Sequence, residues 1–228
     1  MSSLVQGGDA RKTTRQKTIM PKVLLINGSP HNNGCTALAL NEMIKVFEEE
    51  GVETELIHVG NQDVHGCIAC GFCNGNGRCV FAKDSVNEAA RKFAEADGLV
   101  IGSPVYYASP NGTLLAFLDR LFQSSHFSKQ MKVGASVVSC RRGGNTASFD
   151  VLNKYFTISG MPVASTTYWN QIHGYTREEA EKDLEGLQTM RNLARNMSFL
   201  IRAIAAEKAK NGLPKVEREY YTCFADGK

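Results

Sequence analysis

Val23-Leu24-Leu25-Ile26-Asn27-Gly28-Ser29-Pro30-His31-Asn32-Asn33-Gly34-Cys35-Thr36 decides the fold. Its first five residues are a near-continuous apolar run, the pattern of a strand buried on both faces. A loop of small and polar residues follows. Over residues 36–50 the apolar positions Leu38, Leu40, Met43, Ile44 and Phe47 recur near helical spacing, and Gly51 ends the helix. Residues 54–59 read as the next strand.

Outward from this unit the alternation continues. Residues 60–81 have no apolar period and are dense in Gly, Asn and Cys. Ser85-Val86-Asn87-Glu88 reads as a capping box opening a short helix that ends near Asp97-Gly98. Residues 99–103 form a third strand, 111–123 a helix, 133–139 a fourth strand, 145–159 a helix and 163–168 a fifth strand. Thr176-Arg177-Glu178-Glu179, a second capping box, opens one long helix through Ala180, Leu184, Leu187, Ala194, Ile201 and Ile204, stopped by Gly212-Leu213-Pro214. Met190 and Met197 fit its core stripe. Apolar strands alternating with helices predict an α/β fold, a parallel sheet with helices on both faces. Five strands imply a flavodoxin-like sheet of order 2-1-3-4-5.

Composition agrees. The 228 residues are 43% hydrophobic and 21% charged, enough for one sizeable core without metals or disulfides to staple it. No apolar run is long enough to cross a membrane as a helix. The net charge of +3 comes from residues 1–19, where four cations face one acid, so the rest of the chain is neutral and carries no basic stripe for nucleic acid. Residues 1–19 lack the apolar segment of a secretory signal and read as a disordered tail or expression remnant, with residues 20–228 as a single domain. The expected location is the cytoplasm, where cysteines serve as thiols or metal ligands rather than disulfides. No hydrolase signature is present.

In doubly wound sheets ligands sit beyond the carboxyl ends of the strands. Three loops lie there. The first, residues 28–36, leads into a helix N-terminus and aims N–H and hydroxyl groups at one anion. It has neither the Gly-Lys-Ser/Thr of a P-loop nor the Gly-x-Gly-x-x-Gly of a dinucleotide site, and a plain strand-to-helix turn is the alternative. The second, residues 103–112, is stiffened by Pro104 and Pro110 and carries Tyr106 and Tyr107, which either face a planar ring or pack beneath the next helix. The third, Ser139-Cys140-Arg141-Arg142-Gly143-Gly144-Asn145, offers glycines for close backbone approach and two cations; a solvated surface turn is the alternative.

Cys67, Cys70, Cys73 and Cys79 read C-x2-C-x2-C-x5-C within a Cys-rich insertion at residues 60–83. Four thiolates in so short a segment close around either a cubane cluster or a tetrahedral zinc, and a metal-free structured loop is the third reading. His65 beside them reads as structural. Cys35, Cys140 and Cys223 read as buried free thiols. Trp169, Asn170 and His173-Gly174, after the last strand, either cover a ligand or form an exposed loop.

Through Gly28-Ser29-Pro30 with Thr36, Ser103-Pro104-Val105-Tyr106 and Asp119-Arg120, the sequence resembles the NADPH-dependent FMN reductase and iron–sulfur flavoprotein branch of the flavodoxin-like superfamily. The resemblance spans residues 21–209. It implies that Ser29, His31, Asn33, Cys35 and Thr36 hold the FMN phosphate. Pro104, Val105, Tyr106 and Tyr107, with Ser139, Arg141, Gly143 and Gly144, then flank the isoalloxazine. Two departures stand out: His31 replaces a frequent Arg and Cys35 a frequent Asn. The compact cysteine spacing matches that family's cluster motif and implies a [4Fe–4S] cluster on Cys67, Cys70, Cys73 and Cys79. The implied activity is an FMN-dependent NAD(P)H oxidoreductase that passes electrons from a nicotinamide nucleotide to a quinone, a flavin or a ferredoxin-type protein. The alternative is an iron–sulfur electron carrier. No catalytic acid or base is expected, and the resemblance implies a homodimer or homotetramer.

Overall fold

The computed structural model describes residues 20–220 and 222; the expected tail at residues 1–19 and Cys223 lie outside them. In chain order the elements are β1 (Lys22–Asn27), α1 (Cys35–Glu49), β2 (Glu53–His58), α2 (Phe72–Asn76), α3 (Val86–Glu95), β3 (Gly98–Tyr106), β4 (Ser109–Pro110), α4 (Gly112–Ser124), β5 (Val133–Cys140), α5 (Asn145–Thr157), β6 (Gln171–His173), α6 (Arg177–Ala180) and α7 (Leu184–Asn211). The sheet order is β2-β1-β3-β5-β6, all parallel, with β4 pairing antiparallel to β3. Leaving out the hairpin strand β4, this is the expected 2-1-3-4-5 order.

Strand alternation divides the core. Val23 and Leu25 pack toward α1 and α7, with Leu40, Met43, Phe47, Leu193, Met197 and Ile201. Leu24 and Ile26 face the other way, toward Phe93 of α3, Phe117 and Leu121 of α4, and Leu152 and Phe156 of α5. All four strand residues are fully buried, which is why the run reads as continuously apolar. The sheet therefore has helices on both faces and its strand ends point at one edge.

Three expectations need correction. The fifth strand is not residues 163–168: only Val163 bridges to Gly134, and the paired strand is β6. The long helix is two. Thr176 does cap, accepting from the Glu179 amide at 3.3 Å, but α6 spans a single turn, and α7 starts afresh on Asp183, whose carboxylate accepts from Gly186 at 2.9 Å. The first capping box fails at its serine: Ser85 makes no cap and donates its hydroxyl to Gln62 at 2.7 Å.

Candidate functional site

The first loop is braced from within. Ser29 N donates to Asn27 Oδ1 at 2.9 Å and His31 N to Ser29 Oγ at 3.2 Å. The His58 ring lies 2.5 Å from the Ser29 carbonyl. Gly60 backs the turn so closely that an added Cβ would fall 2.1 Å from the Ser29 carbonyl carbon. At the start of α1, Gly34 has no side chain to accept from the first turn, so those amides lack a side-chain cap. Thr36 Oγ1 and Ser139 Oγ, both buried, sit 2.7 Å apart. One hydroxyl donates to the other, which leaves one O–H for a ligand.

These groups line one cavity of about 810 Å³, within the usual range of small-molecule sites. Ser29, His31, Asn33, Gly34, Cys35 and Thr36 form one wall, and Pro104, Val105, Tyr106, Ser139, Cys140 and Arg141 another. The second loop is a tight hairpin rather than a loop: β3 runs to Tyr106, and Tyr107 (φ 51°) and Ala108 (φ 58°) make the two-residue turn, the type I′ pattern. Tyr106 thus reaches the cavity, whereas Tyr107 is fully exposed at the tip and does not. Gly143 and Gly144 are also outside the lining. Gly144 (φ 91°) serves the hairpin instead, because a Cβ there would meet Ala108 Cα at 2.6 Å. Trp169 packs edge-on against Tyr168 at 5.2 Å, away from this wall.

Of the third wall, the sequence marks only Gly174 as ligand cover; residues 175–178 carry no such signal. Gly174, Tyr175, Thr176, Arg177 and Glu178 follow β6 and close over the first loop. The Cys35 thiol reaches the Thr176 and Gly174 carbonyls at 3.2 and 3.5 Å, and Arg177 Nη1 donates to Asn33 Oδ1 at 2.6 Å. Arg141 lies over the Tyr175 ring at 6.0 Å. The rule that ligands gather at strand carboxyl ends points here once β6 is placed at 171–173 instead of 163–168. Burial pushes the Cys35 and Cys140 thiols up from the ordinary cysteine value, so both are neutral packing groups at neutral pH.

The cysteine segment forms a second cavity of about 290 Å³ that shares no lining residue with the first. Cys67, Cys70, Cys73 and Cys79 all line it; the first two are exposed, Cys73 is half-buried and Cys79 buried. Left-handed backbone at Ala69, Gly71 and Gly77 bends the segment around it. Among the described residues no three His, Cys, Asp or Glu side chains gather closely enough to hold a metal ion. The donor set and shared cavity suit a sulfur-ligated centre, but the thiols are not drawn into a closed ligand shell.

Arg120, fully buried on α4, anchors this segment. Its Nε donates to Cys79 Sγ at 3.1 Å, Nη1 to the His65 carbonyl at 3.1 Å, and Nη2 to the Phe81 carbonyl and Asp84 Oδ1, each at 3.2 Å; Nη1 also pairs with Asp84 Oδ2. The guanidinium lies 4.9 Å from the Phe81 ring centre, and the His65 ring stacks on Phe81 at 4.6 Å. Asp119-Arg120 carries part of the family resemblance in the sequence, but nothing local marks Arg120 as buried. The Ser124 hydroxyl, also buried and lining this cavity, has no partner among the described residues.

The family model described as NADPH-dependent FMN reductase matches residues 21–175. An iron–sulfur flavoprotein of Methanocaldococcus jannaschii is 32% identical, the match covering 80% of this chain and 98% of that one. An iron–sulfur flavoprotein of Methanosarcina thermophila is 30% identical over 83% and 100%. Among solved structures, RosB with a bound 8-demethyl-8-formylriboflavin-5′-phosphate intermediate superposes with a TM-score of 0.66 at 17% identity, covering 90% of this chain and 92% of that one. The NAD(P)H:quinone oxidoreductase of Methanothermobacter marburgensis gives 0.60 at 13% identity, over 78% and 98%. At these identities the structures speak to the fold.

Proposed function

The chain belongs to the NADPH-dependent FMN reductase family, and on that premise we propose that it is an FMN-dependent NAD(P)H oxidoreductase acting in the cytoplasm. The observation that carries this reading is the single cavity uniting the first loop, the Tyr106 hairpin and Ser139–Arg141. FMN supplies the chemistry, accepting two electrons from a nicotinamide and releasing them singly or in pairs.

The chain's residues bind and orient. The uncapped first turn of α1, Ser29 and the Thr36–Ser139 hydroxyl pair hold the phosphate. His31 and Asn33 border it, and Cys35 contributes position rather than its thiol, which is spent on the 174–176 carbonyls. Pro104, Val105, Tyr106 and Arg141 flank the ring, Tyr106 offering an aromatic edge. Tyr107 and Gly143 act in this proposal only through the loops they belong to, and Gly144 by letting the hairpin approach. No residue is assigned as a general acid or base, since this electron transfer does not demand one. The acceptor is a quinone, a flavin or a ferredoxin-type protein. We take residues 20–228 as one domain that works as a homodimer or homotetramer.

A second reading is favoured by the shared cysteine cavity and by relatives named as iron–sulfur flavoproteins. In it, Cys67, Cys70, Cys73 and Cys79 hold a [4Fe–4S] cluster and the protein is an electron carrier.

The test is flavin reconstitution followed by anaerobic turnover. Stoichiometric flavin release on denaturation and oxidation of NADPH or NADH support the oxidoreductase; release of no flavin after reconstitution overturns it. Iron uptake without nicotinamide oxidation supports the carrier, and Cys70→Ser then abolishes iron binding while FMN stays bound.

A further inference from the structure

The first loop, residues 28–36, contains no lysine or arginine, although a phosphate dianion is best held by paired cationic hydrogen bonds. Two guanidinium groups line the cavity, and they occupy different places. Arg141 stands on the strand-end loop beside the Tyr175 ring. Arg177 comes from the segment after β6 and is tied directly to the first loop through Asn33.

We infer that Arg177 supplies, from a separate element, the cation that the first loop lacks, and so makes the site select a phosphorylated flavin over an unphosphorylated one. This rests on the FMN reading above and goes beyond it by naming the residue that sets phosphate selectivity. Three observations support it. The side chain is fixed at two points: Nη1 donates to Asn33 at 2.6 Å and Nε to Glu181 at 3.0 Å. Its Nη2 has no partner among the described residues, so a planar donor edge stays available on a group that lines the cavity. It is three-quarters buried, 25% exposed, so its charge is only partly screened by solvent. Opposing charge is also present. Glu178 lines the cavity and Glu181 pairs with Arg177, while Glu179 is engaged with the Tyr175 amide at 2.7 Å. Of these, Glu181 alone bonds Arg177 and holds the guanidinium in place, while the anion approaches from the α1 side, where the amides are uncapped.

The experiment measures FMN and riboflavin binding to the flavin-free full-length protein, for wild type, Arg177→Gln, Arg177→Lys and Asn33→Ala. Loss of one charge-assisted phosphate contact is expected to weaken FMN by about 10- to 100-fold in Arg177→Gln and to leave riboflavin within about twofold. Arg177→Lys recovers part of the FMN affinity. Asn33→Ala, which removes the tie and keeps the charge, retains more of the preference than Arg177→Gln. In wild type the FMN preference shrinks as salt rises, and in Arg177→Gln this salt dependence is shallower. Equal loss of both flavins in Arg177→Gln makes Arg177 a strut of the 174–178 segment and overturns the inference. So does an unchanged FMN preference. Wild-type protein that fails to prefer FMN at all overturns the FMN reading itself, a different result from either.

Discussion

Asp84→Asn isolates the anchor of the cysteine segment. Asp84 is 7% and Arg120 0% exposed, and the carboxylate takes two of the five bonds that Arg120 makes. The substitution keeps the shape and one acceptor but removes the charge, so a buried guanidinium is left with only carbonyls, a thiol and an aromatic face. Breaking one side of a buried ion pair costs about 3–5 kcal/mol, mostly through the stranded charge. Domains of this kind have roughly 5–15 kcal/mol to lose, so the variant folds. With a urea slope of about 3 kcal/mol/M, at the upper end for small proteins, the unfolding midpoint falls by about 1–1.7 M. Arg120→Met alone strands Asp84 and costs a similar amount. The double variant Asp84→Asn with Arg120→Met removes both charges and recovers most of the loss, a coupling of about 2 kcal/mol or more in the cycle. A second signal is local: proteolysis at Arg78 and Lys83 quickens in the single variants, because the segment is released from α4 before the sheet opens. If Asp84→Asn costs no more than a surface pair, about 1 kcal/mol or a midpoint shift of about 0.3 M, and the cycle shows no coupling, the pair is solvated and the anchor does not exist.

Two further outcomes are expected. Gly60→Ala places a methyl group against the Ser29 backbone, which cannot yield as a side-chain tip would; the variant keeps its circular dichroism but loses FMN affinity by about tenfold or more, as a phosphate contact is misplaced, and unchanged FMN binding by titration refutes the role of this close approach. At Glu42, burial opposes ionisation, but Arg191 at 2.6 Å and Lys45 outweigh it and hold the carboxyl below the ordinary glutamate value. Its stabilisation is therefore present above the unfolded value of about 4.3 and is lost as pH falls through the lower folded value. Glu42→Gln loses about 0.5–1 kcal/mol at pH 7, allowing for partial exposure, and the gap to wild type, followed by thermal unfolding, closes in acid; a gap independent of pH contradicts the assignment.

The residues that could be read from sequence alone were those whose environment is set locally. Val23 to Ile26 are buried on alternate faces, so their pattern announced both the strand and the two core layers. Residues 163–168 have stronger strand propensity than Gln171-Ile172-His173, yet the chain touches β5 only at residues 162–164, bonding Gly134, before it diverges and returns to pair with Val138–Cys140 as β6. Pairing there is decided by where the chain arrives, not by propensity. The capping boxes illustrate the same limit. Thr176 caps, while Ser85, with the same spacing, finds Gln62 instead, a partner 23 residues earlier. In the candidate site, the first loop and the Pro104–Tyr106 wall were legible because small residues and prolines mark strand ends. Of the third wall only Gly174 was legible; residues 175–178 were not, since the approach of Arg177 to Asn33 spans 144 residues. Nor was Arg120, which looks like any polar residue on an amphipathic helix until Asp84 is brought beneath it.

The Arg120 anchor also has a consequence in time. Arg120 follows Cys79 by 41 residues in the chain. At about 5–20 residues per second, a ribosome delivers all four thiols roughly 2–8 seconds before the side chain that fastens them to α4 exists. During that interval the cysteine segment is held by the β1–β2 pairing before it and by Asn87 of α3, which bonds the Cys79 and Phe81 backbone, but not by α4. The order of synthesis therefore gives any thiol-seeking species, whether an assembly factor, a metal ion or an oxidant, its freest access to these cysteines on the nascent chain. Once α4 docks, Arg120 bonds the deepest of the four, Cys79.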